Sequence, residues 1–330
     1  MAWFTYILAA ALVSISPSKP PTKWTVIVGG ATPDTSVYAN GFFPREIEIA
    51  VGDTITWTFE GFHNVAFLSG SAAPPFAVPE GDKLYWNPQM LLPIGGKTYD
   101  GTRYHNSGTP ASWPFSYTLT FTKPGRYTYD CTINAGMRGV VIIKEKVTGT
   151  PAAALQRGRG EQAASLAAGA KRLASLDPER QGNTVVVPLI GDTAQRYSIL
   201  RFGRDTLTIQ RGTTVTWAMR DPFEAHTVTF SSGEKRPEFV VLEPQQNGPP
   251  KVQLNPKAMT PTATSHYEGS GLVAALRSAG SVHDEGPTAE EVVEYLELQA
   301  RVDVSASSPE GGGHETQEGQ SPVVERDPHS

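Results

Sequence analysis

The fold of this chain is constrained most strongly by an internal repeat, because residues 43–67 and residues 202–230 follow the same pattern. In each copy an alternating apolar and polar strand leads through a glycine turn into a second alternating strand. Each copy then reaches a histidine that precedes another apolar strand. A repeat this long indicates duplicated β domains and not a solenoid. The corresponding residues are Ile47, Ile49, Gly52, Ile55, Trp57 and His63 in the first copy, and Leu207, Ile209, Gly212, Val215, Trp217 and His226 in the second.

The first copy is complete. Several short strands separated by turn signals predict an all-β, Greek-key β-sandwich. A long insertion around 70–115, rich in proline, glycine and aromatic residues, interrupts the strand pattern. We expect strands at 24–28, 45–50, 54–59, 64–68, 117–122, 126–130 and 139–145.

The second copy begins like the first but ends differently. Residues 288–302 have an amphipathic pattern with early acidic residues, which predicts a helix where the first copy has strands. The polar tail after residue 305 is typical of disorder. A reading-frame change near residue 275 in the parent gene would also give this ending.

We therefore expect a first unit at 21–147 and an incomplete second unit at 183–277. The intervening residues 148–182 are rich in alanine, leucine, arginine and glutamine, and predict a helical linker. Residues 278–330 would form the acidic helix and the tail.

Composition excludes several classes of function. The net charge of −5 and the isoelectric point near 5.8 argue against nucleic acid as a partner, and no basic cluster is present. A single cysteine excludes an intrachain disulfide framework and a cysteine-rich zinc module.

The apolar start of the chain predicts an export signal over residues 1–20, which is either cleaved or serves as a membrane anchor. Its apolar stretch is short for a membrane span, and it lacks a basic beginning. A buried strand or a wrongly assigned start is the alternative.

Three potential copper ligands lie on two separate segments. Cys131 and Met137 share the segment YTYDCTINAGMRGVV, and His63 lies far upstream in GFHNVAF. A blue-copper site needs two imidazoles, a thiolate and a weak axial thioether. The chain places Asn134 where the second imidazole is required.

The motifs HNV at residues 63–65 and C-x-x-N-x-x-M-x-G at residues 131–139 resemble those of the cupredoxin superfamily. The resemblance is in particular to plastocyanin/amicyanin-like blue copper proteins, here as a tandem pair. The resemblance covers about 24–145 and, in part, 183–275. It implies a periplasmic, cell-surface or secreted electron carrier with a redox partner protein. It also implies one type 1 copper at His63, Cys131 and Met137, with Asn134 in the position of the missing histidine.

Each ligand has a structural alternative: a buried inert thiol, a hydrogen-bonded histidine and a core methionine. With Asn134, the site could hold copper with an outside ligand, hold mainly Cu(I), or hold none. His105, the other histidine of the first unit, could substitute, although a surface-loop histidine is the simpler interpretation. His226 has no cysteine partner, so we interpret it as structural.

Two functions follow from these residues. The first is a copper-binding electron-transfer protein whose type 1-like site is defective or open at Asn134. The second is a metal-free, cupredoxin-like extracellular binding module. An enzyme such as a multicopper oxidase or copper nitrite reductase is not expected, because His-x-His pairs and a His-Cys-His run are missing.

Overall fold

The computed structural model describes residues 20–204, 206–230, 233, 235–259, 262–263, 268–269 and 299–302. Up to residue 144 the elements are β1 (Lys23–Val28), β2 (Val37–Ala39), β3 (Phe42–Phe43), β4 (Glu46–Ala50), β5 (Thr54–Phe59), β6 (Ala66–Phe67), β7 (Ala77–Glu80), β8 (Lys83–Trp86), α1 (Pro88–Leu91), β9 (Pro93–Ile94), β10 (Thr98–Tyr99), β11 (His105–Ser107), β12 (Ser116–Phe121), β13 (Gly125–Asp130) and β14 (Arg138–Lys144).

The remaining described elements begin with a long helix and continue mainly as strands. They are α2 (Pro151–Ala174), β15 (Glu179–Gln181), β16 (Thr184–Asp192), β17 (Tyr197–Ile199), β18 (Thr214–Arg220), β19 (Thr229–Phe230), β20 (Val240–Glu243), β21 (Lys251–Leu254), α3 (Pro256–Met259), β22 (Thr262–Ala263), β23 (Glu268–Gly269) and β24 (Gln299–Val302).

The first unit is a two-sheet β-sandwich, which confirms the predicted fold class. One sheet has the strand order β10-β12-β5-β1-β3, and the other has β4-β14-β13-β6-β11-β9. The chain crosses between the sheets from β1 to β4, from β4 to β5 and from β12 to β13, as in a Greek-key sandwich. Trp57 lies fully buried between them, with the rings of Phe67 and Tyr129 packed against it at centroid distances of 5.9 and 5.5 Å.

The second unit begins with the strand register of the first. In the first unit β1 pairs in parallel with β5, and Val26 lies opposite Trp57. In the second unit β16 pairs in parallel with β18, and Val187 lies opposite Trp217. This shared register supports the proposal of a duplicated unit.

The predicted helix over residues 288–302 is wrong at its C-terminal end. Residues Gln299–Val302 form β24, which pairs antiparallel with β18 and places Ala300 opposite Trp217. In the first unit β12 occupies the matching place beside β5. The edge of β18 carries backbone N–H and C=O groups that need partners. A paired strand satisfies these groups, whereas a helix satisfies only its own. Residues 288–298 and the tail lie outside the described residues, as does most of the predicted export signal.

Helix α2 packs closely against both units. Thr150 caps its N-terminus, and Pro151 occupies the first turn, where a missing N–H costs nothing. The helix buries a stripe of small residues, which are Ala154, Gly158, Ser165 and Gly169. A methyl group on Gly158 would lie 2.6 Å from the backbone oxygen of Phe43, so glycine is required for this approach.

Two strand pairings also join the units. Strand β17 of the second unit pairs with β2 of the first, and β21 pairs with β8 of the insertion. Among the described helices, none is both long and apolar enough to span a membrane.

The packing of α2 predicts opposite effects for two neighbouring glycine substitutions. Gly158→Ala should lower the free energy of unfolding by on the order of 1–3 kcal/mol, because the new methyl group collides with backbone atoms. Gly160→Ala is the matched control, because its methyl group meets no atom within 4 Å. It should raise stability by roughly 0.5–1 kcal/mol through helix propensity. Urea denaturation of the full chain measures both, and equal effects of the two changes would contradict this packing.

Candidate metal centre

The two segments that carry the predicted ligands meet at one end of the sandwich. His63 lies between β5 and β6, and the loop from Cys131 to Met137 joins β13 to β14. Strand β6 pairs with the end of β13, with Ala66 opposite Asp130, so the two loops are neighbours. The structure thus brings the predicted site residues together, and all of them are buried, at 1–3% exposure.

The side chain of Asn64 joins the two loops. Its Oδ1 accepts a hydrogen bond from the Thr132 backbone N–H at 2.8 Å, and its Nδ2 donates to the Thr132 hydroxyl at 2.7 Å. The same Nδ2 donates to the backbone oxygen of Met90 at 3.1 Å, which ties in the insertion as well. Because Asn64 is fully buried, loss of these bonds would leave polar groups unpaired, so the loop spacing is firmly held.

Two glycines fix the orientation of the His63 ring. Added methyl groups at Gly29 and Gly61 would lie 2.6 and 2.7 Å from its Nε2. The Nε2 edge is therefore enclosed by backbone, and Nδ1 faces the other loop. There it lies 2.7 Å from Asn134 Oδ1 and 3.9 Å from Cys131 Sγ.

Burial keeps both candidate ligands uncharged at neutral pH. It lowers the pKa of His63 to about 4, although the hydrogen bond with Asn134 partly opposes this shift. It raises the pKa of the Cys131 thiol to about 11, although backbone N–H groups of Asn64 and Asn134, at 3.5 and 3.4 Å, partly stabilise a thiolate.

Cysteine, histidine and asparagine side chains also form the active site of some thiol hydrolases. In those enzymes the nucleophile and the orienting group bind different imidazole nitrogens. Here Cys131 and Asn134 both face Nδ1 of His63, and the raised thiol pKa gives no activated nucleophile. The arrangement therefore suits metal ligation better than nucleophilic catalysis.

The second unit contributes two residues that the sequence patterns did not indicate. Asn134 Nδ2 donates to Glu224 Oε1 at 2.9 Å, and it lies 3.4 Å from the backbone oxygen of Phe223. The Phe223 ring is 6% exposed and belongs to the same apolar cluster as Cys131 and Met137. Burial and the nearby charge of Asp221 raise the pKa of Glu224 to about 7.

The spacing of the donors fits a shared metal ion. Metal–thiolate and metal–imidazole bonds of about 2.3 and 2.0 Å place the two donor atoms roughly 3.6–3.9 Å apart. Sγ of Cys131 and Nδ1 of His63 are 3.9 Å apart. Thiolate, thioether and one imidazole form a donor set that suits Cu(I), whereas a neutral amide is a poor replacement for the second imidazole.

No cluster of three or more His, Cys, Asp or Glu side chains that could hold a metal occurs in the described part of the chain. The thioether of Met137 is a further soft donor on the same loop as Cys131. Two backbone hydrogen bonds hold Met137 close to Cys131 and Asn134. The backbone oxygen of Met137 accepts from the Cys131 N–H at 2.9 Å, and the Met137 N–H donates to the backbone oxygen of Asn134 at 3.2 Å.

The other histidines contact different partners. His105 is buried in β11, with Nδ1 3.1 Å from the backbone oxygen of Arg103 and Nε2 3.0 Å from that of Thr98. It is thus neither a surface-loop residue nor in contact with Asn134. His226 Nε2 lies 3.0 Å from the Asp221 carboxylate, an arrangement that suits the structural interpretation.

Comparison with known proteins gives one relative and a group of similar structures. No family model matches the chain. Chloroplastic plastocyanin of Physcomitrium patens is 30% identical over 109 residues, which are 32% of this chain and 51% of plastocyanin. The chain thus spans about half the length of the curated relative that it matches.

Amicyanins are among the similar structures. The oxidised form of a proline-to-alanine mutant is 22% identical and has a TM-score of 0.24, covering 37% of this chain and 82% of amicyanin. The oxidised form of a methionine-to-leucine mutant is 22% identical with a TM-score of 0.23, covering 39% and 95%. At such TM-scores the superpositions carry no weight. The similarity to plastocyanin and the two-sheet topology identify the β-sandwich as cupredoxin-like, as the sequence motifs predict.

The depressed pKa of His63 predicts a loss of stability in acid. Between pH 6.5 and about 4 the unfolded chain binds a proton that folded His63 does not, so the free energy of unfolding falls as the pH falls. Below about pH 4 both states are protonated, and this loss ends. Compared with His63→Gln, the wild type should lose on the order of 2–3 kcal/mol more between pH 7 and pH 4.

Urea denaturation at a series of pH values measures this difference. The raised pKa of Glu224 acts in the opposite direction, because the folded state then binds the extra proton between pH 4.5 and about 7. Since Glu224 is present in both proteins, its contribution cancels in the difference between them. Parallel pH profiles for wild type and His63→Gln would contradict the prediction.

Proposed function

We propose that the first unit binds one copper ion through His63, Cys131 and Met137 and serves in electron transfer. Asn134 occupies the place of the second imidazole in this type 1-like site. The observation that carries the proposal is the 3.9 Å spacing of Nδ1 and Sγ at the end of a cupredoxin-like sandwich. The similarity to plastocyanin supports it.

Copper bound to a thiolate supplies a one-electron redox centre. The chain contributes three things to such a centre. His63 is neutral above its pKa of about 4, so binding at its Nδ1 requires loss of the hydrogen bond to Asn134 but no change of charge. Cys131 releases its proton on binding. Asn64 holds the two loops together, which limits their rearrangement when the electron moves.

Asn134 makes this site different from a complete blue-copper centre. A site with one imidazole, a thiolate and a thioether favours Cu(I) over Cu(II), because soft ligands select the reduced ion. We therefore propose that the chain holds copper chiefly as Cu(I), with a higher reduction potential than a site with two imidazoles.

The proposed electron partner is a redox protein that approaches near His63. Phe62, the residue before this histidine, is 44% exposed and packs on Trp86 at a centroid distance of 5.5 Å. Phe76, which is 36% exposed, packs on the same Trp86 ring at 5.1 Å, and contiguous exposed apolar surface of this kind suits protein docking. We place the protein in the periplasm, at the cell surface or outside the cell, and we propose no catalytic activity for it.

A metal-free binding module is the second candidate function. It is favoured by the 2.7 Å hydrogen bond between His63 Nδ1 and Asn134 Oδ1, which uses the nitrogen that would bind copper. Asn134 Oδ1 also lies 3.4 Å from Cys131 Sγ, so the amide partly fills the space between the ligands.

Competition for Cu(I) distinguishes the two candidates. The full chain is titrated with Cu(I) held by a chromophoric chelator of known affinity. We expect one ion per wild-type chain, at least tenfold weaker binding in Cys131→Ser and weaker binding in Met137→Leu, because a soft donor is lost. Met90→Leu is the matched control, since Met90 is also fully buried but lies in a different apolar cluster.

Asn134→His tests the role of the missing imidazole. It restores the second nitrogen donor, so Cu(II) should give an intense visible thiolate-to-copper band and a type 1 electron paramagnetic resonance spectrum in this variant. Failure of both the wild type and Asn134→His to take copper from the chelator would reject the copper proposal and leave the binding module.

A further inference from the structure

The second unit closes the mouth of the candidate metal centre with the segment 221–226, which we name the capping loop. Phe223 of this loop fills the apolar cluster around Cys131 and Met137. Glu224 accepts the hydrogen bond from Asn134 Nδ2. These contacts join residues about 90 positions apart, so the pocket is completed only when both units are in place.

The capping loop is itself firmly built. Asp221 is fully buried, and its Oδ1 accepts from the Ser198 hydroxyl at 2.9 Å and from the Phe223 and Glu224 backbone N–H groups at 2.9 and 3.2 Å. Its Oδ2 lies 3.0 Å from His226 Nε2. Because these hydrogen bonds hold the base of the loop, Phe223 and Glu224 move together.

Glu224 also fixes which way the Asn134 amide faces. A carboxylate oxygen and the backbone oxygen of Phe223 are acceptors, so they require the NH₂ side of the amide. The amide oxygen must then face His63, where it accepts from Nδ1–H. Through Asn134, the second unit thereby holds the imidazole in the tautomer that cannot bind a metal through Nδ1.

We propose that Phe223 and Glu224 form a latch over Cys131, and that the thiol becomes accessible only when the capping loop leaves Asn134. Glu224 is a positioning residue that orients the Asn134 amide, and Phe223 covers the apolar pocket around Cys131. The inference goes beyond the copper proposal, because it concerns access to the thiol and holds for any soft ion or thiol reagent that enters the pocket.

Alkylation of the single cysteine by N-ethylmaleimide tests the latch without any metal. The full chain is labelled under native conditions, and mass spectrometry follows the modified fraction over time. Glu224→Ala removes the acceptor for Asn134 and should raise the labelling rate at least tenfold, because local opening becomes more frequent. Glu224→Gln keeps an acceptor oxygen and should label within about threefold of the wild-type rate.

Control variants separate the latch from general effects. Glu238→Ala removes an exposed carboxylate of the second unit and should label at the wild-type rate. Phe223→Ala should label faster, whereas Phe202→Ala, at an exposed phenylalanine, should not. Labelling is repeated in low urea, since local opening is insensitive to denaturant and global unfolding is strongly sensitive.

The latch is overturned if Glu224→Ala and Phe223→Ala label at the wild-type rate, or if their faster labelling has the urea dependence of global unfolding. Cu(I) titration of the same variants separates this proposal from the copper site. Faster labelling without copper uptake in any variant supports the latch and rejects the copper function. Copper uptake with unchanged labelling supports the copper function and rejects the latch.

Discussion

The amide of Asn134 is the contact on which the rest of the arrangement depends, because one small group binds both halves of the molecule. Its oxygen accepts from His63 in the first unit, and its nitrogen donates to Glu224 in the second. A histidine at this position would not make both contacts with the same geometry, because its donor and acceptor nitrogens belong to a larger, rigid ring and point in different directions from the amide oxygen and nitrogen. The residue in the position of the predicted second copper ligand is thus the residue that joins the units at this site.

The β-sandwich supplies the precision that this contact requires. Strand β13 ends where the Cys131 loop begins, and its pairing with β6 brings the His63 loop alongside. Asn64, itself fully buried, then fixes the spacing of the loops with three hydrogen bonds. Because these bonds would be costly to leave unmade, the pocket keeps its shape without a metal. The same rigidity serves electron transfer if copper binds, and it serves a fixed binding surface if copper does not.

The parts of the structure that are predictable from the sequence are those set by residues close together along the chain. Alternation of apolar and polar residues gave the strands of the first unit, and the cysteine and methionine spacing gave its loop. The contact of Asn134 with Glu224 joins distant parts of the chain and leaves no periodic signal. The same limit explains the error at Gln299–Val302, where pairing with the edge of β18 overrides an amphipathic pattern. The helix α2 was predictable, but its close approach to Phe43 through Gly158 was not.

The close packing of α2 has a consequence for how the capping loop acts. Held by this helix and by the pairing of β2 with β17, the second unit stays beside the pocket even when the loop has left Asn134. The loop therefore meets its site at a high effective concentration, so a few weak contacts are enough to keep it closed. Reclosing is an intramolecular step whose rate does not depend on protein concentration. The duration of each opening would then be set within a single molecule, independently of how many copies surround it.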